Sequence, residues 1–223
     1  MNTCSDQFEV LSNALRIFPE RLVSIKYFIV EVNDPEEGIA NIESAFRDVL
    51  NQFYGMMCAL KESGNITGLY EHIEITSLLC LRHAVQHKSG KVKNQLRDLI
   101  LDGHNEEVFL IEYSTSDADR LRGPFPINLN WVEESIKSSN YASKWAKISE
   151  YWNLNSIIEE AKTHNINLNN IYIDGTNLIS EAVCTLQSKY GQFYSPIGYD
   201  SKVYYKHFAN IVPYNKNDFA LIA

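Results

Sequence analysis

The sequence predicts a mainly α-helical protein, an antiparallel helical bundle with one short β element near residues 106–114. Three observations predict it. Apolar residues recur at three- and four-residue spacing through most of the first hundred positions, glycines and capping residues punctuate that pattern, and only EEVFLIEYS (Glu106 to Ser114) has the look of a strand between polar turns. With 223 residues, 45% hydrophobic and 22% charged, the chain has enough apolar surface to bury a substantial core.

The clearest helix runs from about Pro35 to Leu60. Ile39, Ile42, Phe46, Val49, Leu50, Phe53, Met57 and Leu60 share one face, Asp34 before Pro35 supplies an N-cap with proline at the first helical position, and Gly64 follows the end. A second helix is predicted from Gly68 to about Lys88, through Leu69, Ile73, Leu78, Leu79 and Leu81, with Gly90 placed to stop it. A third covers Val92 to Leu101 and ends at Gly103. Character changes there, so the expected organisation is a helical core over residues 1–103 and a helical extension or second domain over 104–223. In that second half RGPFPINLNW is turn-rich, Trp131 to Lys137 and Trp145 to Lys162 look helical, NINLNNIYIDGTN reads as a loop, Leu178 to Tyr190 as a helix, and YSPIGYDSKVYY as a break before a closing segment.

Composition limits what the chain does. The opening MNTCSDQFEV lacks the basic leader and apolar run of a signal peptide, and no apolar stretch approaches the ~18 residues that span a bilayer, so a cytoplasmic protein without membrane attachment is expected. Cys4, Cys58, Cys80 and Cys184 are far apart and suggest neither a thiolate zinc site nor a disulfide framework. The net charge of -8 and pI near 5.3 exclude a protein that coats nucleic acid through its overall field. Any polyanion site must be local. One stretch qualifies: between Glu74 and Asp98 there is no acidic residue, while Arg82, Lys88, Lys91, Lys93 and Arg97 are basic and His83 and His87 can add charge.

The chemistry of that stretch follows from helical spacing. His83 and His87 are four apart and point the same way, with Arg82 on the adjacent flank and Gln86 a turn beyond it. Histidine moves protons in both directions near neutral pH, and arginine's planar fork suits a phosphate. Such a set can hold a phosphodiester, take the 2′-hydroxyl proton and stabilise charge on phosphorus without a metal or other cofactor.

LRHAVQH (Leu81 to His87) resembles the Arg-x4-6-His motif of the HEPN superfamily, in which an arginine precedes a polar residue and, after a spacer, a histidine. Arg82, His83 and His87 occupy those positions, late in the second of two long predicted helices. The resemblance covers about Pro35 to Leu101. It implies a HEPN-like bundle and a metal-independent endoribonuclease of toxin-antitoxin or antiviral defence type, with Arg82 binding the scissile phosphate, His87 as general acid/base and His83 orienting or assisting. It further implies a homodimer with facing motifs, RNA as substrate, and a possible antitoxin or defence-system partner protein. Lys88, Lys91, Lys93 and Arg97 would bind the RNA backbone. Family members that have lost activity serve as binders or scaffolds, so the alternative is a non-catalytic helical RNA-binding or scaffold subunit of a defence complex.

Two other readings of the same residues stay open. Basic side chains in the last turns of a helix complement its dipole and occur there for stability alone. The His83/His87 spacing also suits a metal, but Ala84, Val85 and Gln86 between them offer no carboxylate, so His72, His104 or Glu74 would have to complete the site. Asp174-Gly175 within YIDGTN and the SGK at Ser89 to Lys91 lack the spacing of a phosphate loop.

Overall fold

The computed structural model describes residues 3–64, 66–87, 90–101, 107–115 and 124–223. Lys88, Ser89, His104 and Glu106 therefore lie outside the described residues. The chain is mainly helical with a small four-stranded sheet, and its contacts divide it into two compact units, Met1–Arg82 with Ile179–Ile211 and His83–Leu178 with Val212–Ala223.

The first unit is built on α1 (Thr3–Tyr27) and α2 (Pro35–Glu62), joined by a π-helical turn over Phe28–Val32. Asn33 turns the chain with a left-handed φ of 57°, and the Asp34 side chain accepts the Glu37 N–H at 3.0 Å to start α2. The helices run antiparallel, since Gln7 near the start of α1 bonds Gln52 late in α2 at 3.1 Å while Gly38, early in α2, sits against Ile25 and Phe28. The predicted apolar face of α2 is buried throughout, with Phe46 against Phe18 of α1 at 5.6 Å between ring centroids. The sequence reading placed residues 3–27 in a helical core without naming an element there; α1 carries Pro19 on an exposed position and buries Phe8, Leu11, Leu15 and Phe18.

Next comes α3 (Ile73–His87), which begins later than predicted because Gly68 takes φ +79° in the preceding turn and Thr76 Oγ1 donates to Tyr70 O at 3.0 Å. Ile73 to Arg82 belong to the first unit and His83 to His87 to the second. The first unit also holds α8 (Gly175–Tyr190) from Ile179 onward and α9 (Tyr199–Ala209). Glu9 fastens α9 to α1 by accepting the N–H groups of Ile197 and Gly198, at 2.6 and 3.0 Å, and the Ser201 hydroxyl. Burial works to raise the Glu9 pKa, but these donors hold it below the ordinary value.

The second unit contains α4 (Lys91–Ile100), β1 (Phe109–Ser114), β2 (Pro126–Asn128), α5 (Leu129–Lys137), α6 (Trp145–Tyr151), α7 (Leu154–Thr163), β3 (Ile171–Asp174) and β4 (Asn215–Ile222). The strand order is β2-β3-β1-β4, with β1 parallel to β3 and both outer pairs antiparallel. The expected short β element is thus one strand of four. Three pieces read as loop, turn and closing segment pair with it or its neighbour.

The predicted helix Trp145 to Lys162 is two helices, broken where Asn153 adopts a left-handed φ of 55°. Its indoles still serve packing, as Trp145 and Trp152 meet edge to face at 6.1 Å and Trp152 O accepts the Tyr113 hydroxyl at 2.6 Å. Among the described residues no helix is long and apolar enough to cross a membrane.

Candidate functional site

The last two turns of α3 carry the residues singled out by the sequence. Arg82, in the first unit, donates its Nε–H to Asn51 Oδ1 at 3.1 Å and lays its guanidinium over the Tyr54 ring, 4.1 Å from the centroid. Asn51 and Tyr54 are three apart on α2 and so present neighbouring side chains. This cradle fixes the plane of the fork, and the terminal nitrogens Nη1 and Nη2 have no hydrogen-bond partner among the described residues. An arginine oriented through Nε with its outer edge open is set up to take a phosphate in two parallel hydrogen bonds. The Tyr54 phenol is pushed above its ordinary pKa, first by its hydrogen bond to Cys58, with Arg82 pulling the other way.

His83 and His87, in the second unit, stand one turn apart with ring centroids 4.2 Å from each other and planes at 49°. His83 is half-buried and meets Tyr141 edge to face at 5.2 Å, while His87 is exposed in the final turn. The pair offers one steadied imidazole and one accessible imidazole, which general acid-base chemistry can divide between orienting and proton transfer. The same placement in the last turn also complements the helix dipole.

Comparison of the chain with protein-family models, with curated proteins and with solved structures returned no match.

The downstream cations are not one strip. Val92 and Leu96 are buried on α4, which puts Lys93 and Arg97 on one flank and Lys91 on the other. Gln95 fixes the orientation of this helix against β2, its Nε2 donating to Pro126 O at 2.6 Å and its Oε1 accepting Asn128 N–H at 2.9 Å.

For the metal reading, no group of three His, Cys, Asp or Glu suited to an ion occurs among the described residues. His72, one of the proposed third donors, instead meets the Tyr190 hydroxyl at 3.0 Å.

Asp174 ends β3 and leads directly into α8, where a simple turn was expected. Its carboxylate accepts the N–H groups of Phe125 at 3.0 Å and Thr176 at 2.8 Å, and burial nevertheless pushes its pKa up to about 6.

Sequence reasoning missed Asn51, Tyr54 and Tyr141. The first two carry a weak signal, since their three-residue spacing puts them on the polar border of α2. Tyr141 carries none.

Proposed function

We propose that this chain is a metal-independent endoribonuclease of HEPN type, with a HEPN-like arrangement of its helices, acting in the cytoplasm as a toxin or antiviral effector and regulated by an antitoxin or other defence-system partner. The observation that carries the reading is the contact of the His83 and His87 rings at 4.2 Å on the helix that also presents Arg82 at the Arg-x4-His spacing. In the proposed reaction His87 accepts the 2′-hydroxyl proton, the alkoxide attacks phosphorus, and the ribose oxygen on the far side of the phosphate leaves with a proton from an acid. The products are a cyclic phosphate and a free hydroxyl. Arg82 holds the phosphate and neutralises its growing charge, His83 keeps His87 oriented, and neighbouring phosphates are contacted by Lys88 and by one flank of α4, either Lys93 with Arg97 or Lys91.

Acid and base must act on opposite sides of phosphorus, so a second His87 is best supplied by a two-fold partner copy. The deciding experiment is incubation of the purified chain with RNA in the presence of a chelator. Cleavage leaving a cyclic phosphate supports the proposal. Intact RNA at every protein concentration would sink it.

A second reading rests on the Arg82 cradle. Because the guanidinium is already engaged by Asn51 and Tyr54, Arg82 also suits a structural role in a non-catalytic RNA-binding or scaffold subunit. RNA retained in a gel shift without cleavage would favour it.

A further inference from the structure

Within the first unit, α1 and α2 line an open groove, a surface cavity of about 430 Å³. Its wall consists of Ile17 and Arg21 from α1 and Asn41, Ser44, Ala45, Arg47, Asp48 and Asn51 from α2. Two long helices packed along an apolar seam ordinarily fill the groove beside it with their own side chains. Here the groove is lined by polar groups of small reach, repeating along the border of α2's apolar face at Asn41, Ser44, Asp48 and Asn51.

Arg47 places Nη2 2.9 Å from Glu43 Oε1, yet its Nε is buried and has no hydrogen-bond partner among the described residues. That Nε is sealed from solvent, so a ligand in the groove can meet Arg47 only through the exposed part of its guanidinium. Arg21, on the facing helix, adds a second guanidinium to the same cavity. Two guanidiniums select an anion with several oxygens, which is the character of a phosphate.

The remaining wall argues for more than a bare phosphate. The volume lies in the range of small-molecule sites, roughly 300–1,000 Å³. Asp48 would repel an inorganic anion, but its carboxylate, whose Oδ1 already accepts from Gln52 Nε2 at 2.9 Å, has its other oxygen to accept from ribose hydroxyls or from the N–H edge of a base. Asn41, Asn51 and Ser44 offer both donors and acceptors, and Ile17 and Ala45 supply an apolar surface for a sugar or ring face.

We propose that the cavity between α1 and α2 binds a nucleoside phosphate, with Arg21 and Arg47 on the phosphate and Asp48 on the sugar or base. The ligand is either a free nucleotide or one nucleotide unit of an RNA strand. Since Asn51 both lines the cavity and receives the Arg82 Nε–H, an occupant bears directly on the Arg82 cradle. The site stands without the ribonuclease proposal, because its test reads binding and not cleavage.

The test is calorimetric titration of the full chain with nucleoside monophosphates, the corresponding nucleosides, inorganic phosphate and a short single-stranded RNA. A monophosphate is expected to bind more tightly than its nucleoside and than phosphate, and Arg21→Gln or Arg47→Gln should weaken it about tenfold or more. Arg21→Gln, on an exposed residue, guards against a folding defect in the other variant. Binding of RNA but not of monophosphates, lost in both variants, assigns the site to a strand and supports the proposal as well. No binding of either probe, binding equal to that of inorganic phosphate, or affinities unchanged in both variants overturns it.

Discussion

Asn51 on α2 receives the Nε–H of Arg82 on α3 at 3.1 Å, and the ring of Tyr54, one turn further along α2, lies beneath the same guanidinium. If Arg82 grips the scissile phosphate, Asn51 is a positioning residue. Asn51→Ala should lower kcat of RNA cleavage by roughly fivefold, the equivalent of about 1 kcal/mol for one hydrogen bond, with little change in KM. An unchanged kcat would separate the cradle from the chemistry.

The histidines differ in exposure and should differ in consequence. His87→Ala is expected to lower cleavage by about 10²–10⁴-fold with thermal stability nearly unchanged. His83→Ala should cause an intermediate loss, since His83 is steadied by Tyr141 and serves to orient. Arg82→Ala should approach His87→Ala. If all three variants change only melting temperature, by an amount fitting about 1 kcal/mol at most, the helix dipole accounts for these residues and catalysis does not.

Salt dependence tests the split of the cations on α4. A strand of RNA lying along one flank meets Lys93 and Arg97 or meets Lys91, but not all three. Charge removal at each contacting residue should lower the slope of log affinity against log salt by about 0.7, the value for a single strand, and removal on the other flank should leave the slope alone. Equal effects from all three positions would show that RNA does not follow one flank.

Two carboxylates predict opposite responses to pH. Asp174 has a folded pKa of about 6, above its ordinary 3.8, so its contribution is fully present below pH 3.8 and is lost as pH rises through 6. Glu9 is held below its ordinary 4.5, so its contribution is present above that value and disappears as pH falls below it. Melting temperatures of Asp174→Asn and Glu9→Gln, each compared with the parent across that range, should diverge at opposite ends. Parallel curves for both would refute the assignment.

At Gly38 a Cβ would fall 2.6 Å from Ile25 Cδ1 and 2.9 Å from Phe28 Cβ. Alanine is the better helix former by up to about 1 kcal/mol, but the overlap with Phe28 lies next to its backbone and cannot swing away. Gly38→Ala should therefore destabilise the α1-α2 hairpin in chemical denaturation, and a gain in stability would show that the two helices part easily.

Much of the first unit was legible because local chemistry decides it. Asp34 and Pro35 open α2 where the capping pattern puts its start, and Gly90, with φ +87°, separates α3 from α4. The mainly helical character follows from the same periodicity. By contrast, β3 has four residues and β2 three, too short for alternation to declare itself, and both exist because β1 and β4 extend the sheet they join. No single element was named over residues 3–27, and there packing of Phe18 on Phe46 of α2 helps carry α1 past Pro19. Of the candidate site, the histidine spacing was readable, but the cradle of Arg82 and the ring against His83 come from other elements and depend on tertiary contact.

The interleaving of the two units along the chain bears on how the protein comes into being. The first unit waits for Ile179–Ile211, and the second waits for Val212–Ala223, whose strand β4 covers one side of β1. A nascent chain emerging at about 5–20 residues per second can close the α1-α2 hairpin early, but β1 must linger with an unpaired edge until β4 has been made. Translation thus imposes an interval in which the sheet is open to wrong partners, and a ribosome stalled before residue 215 would leave that edge exposed.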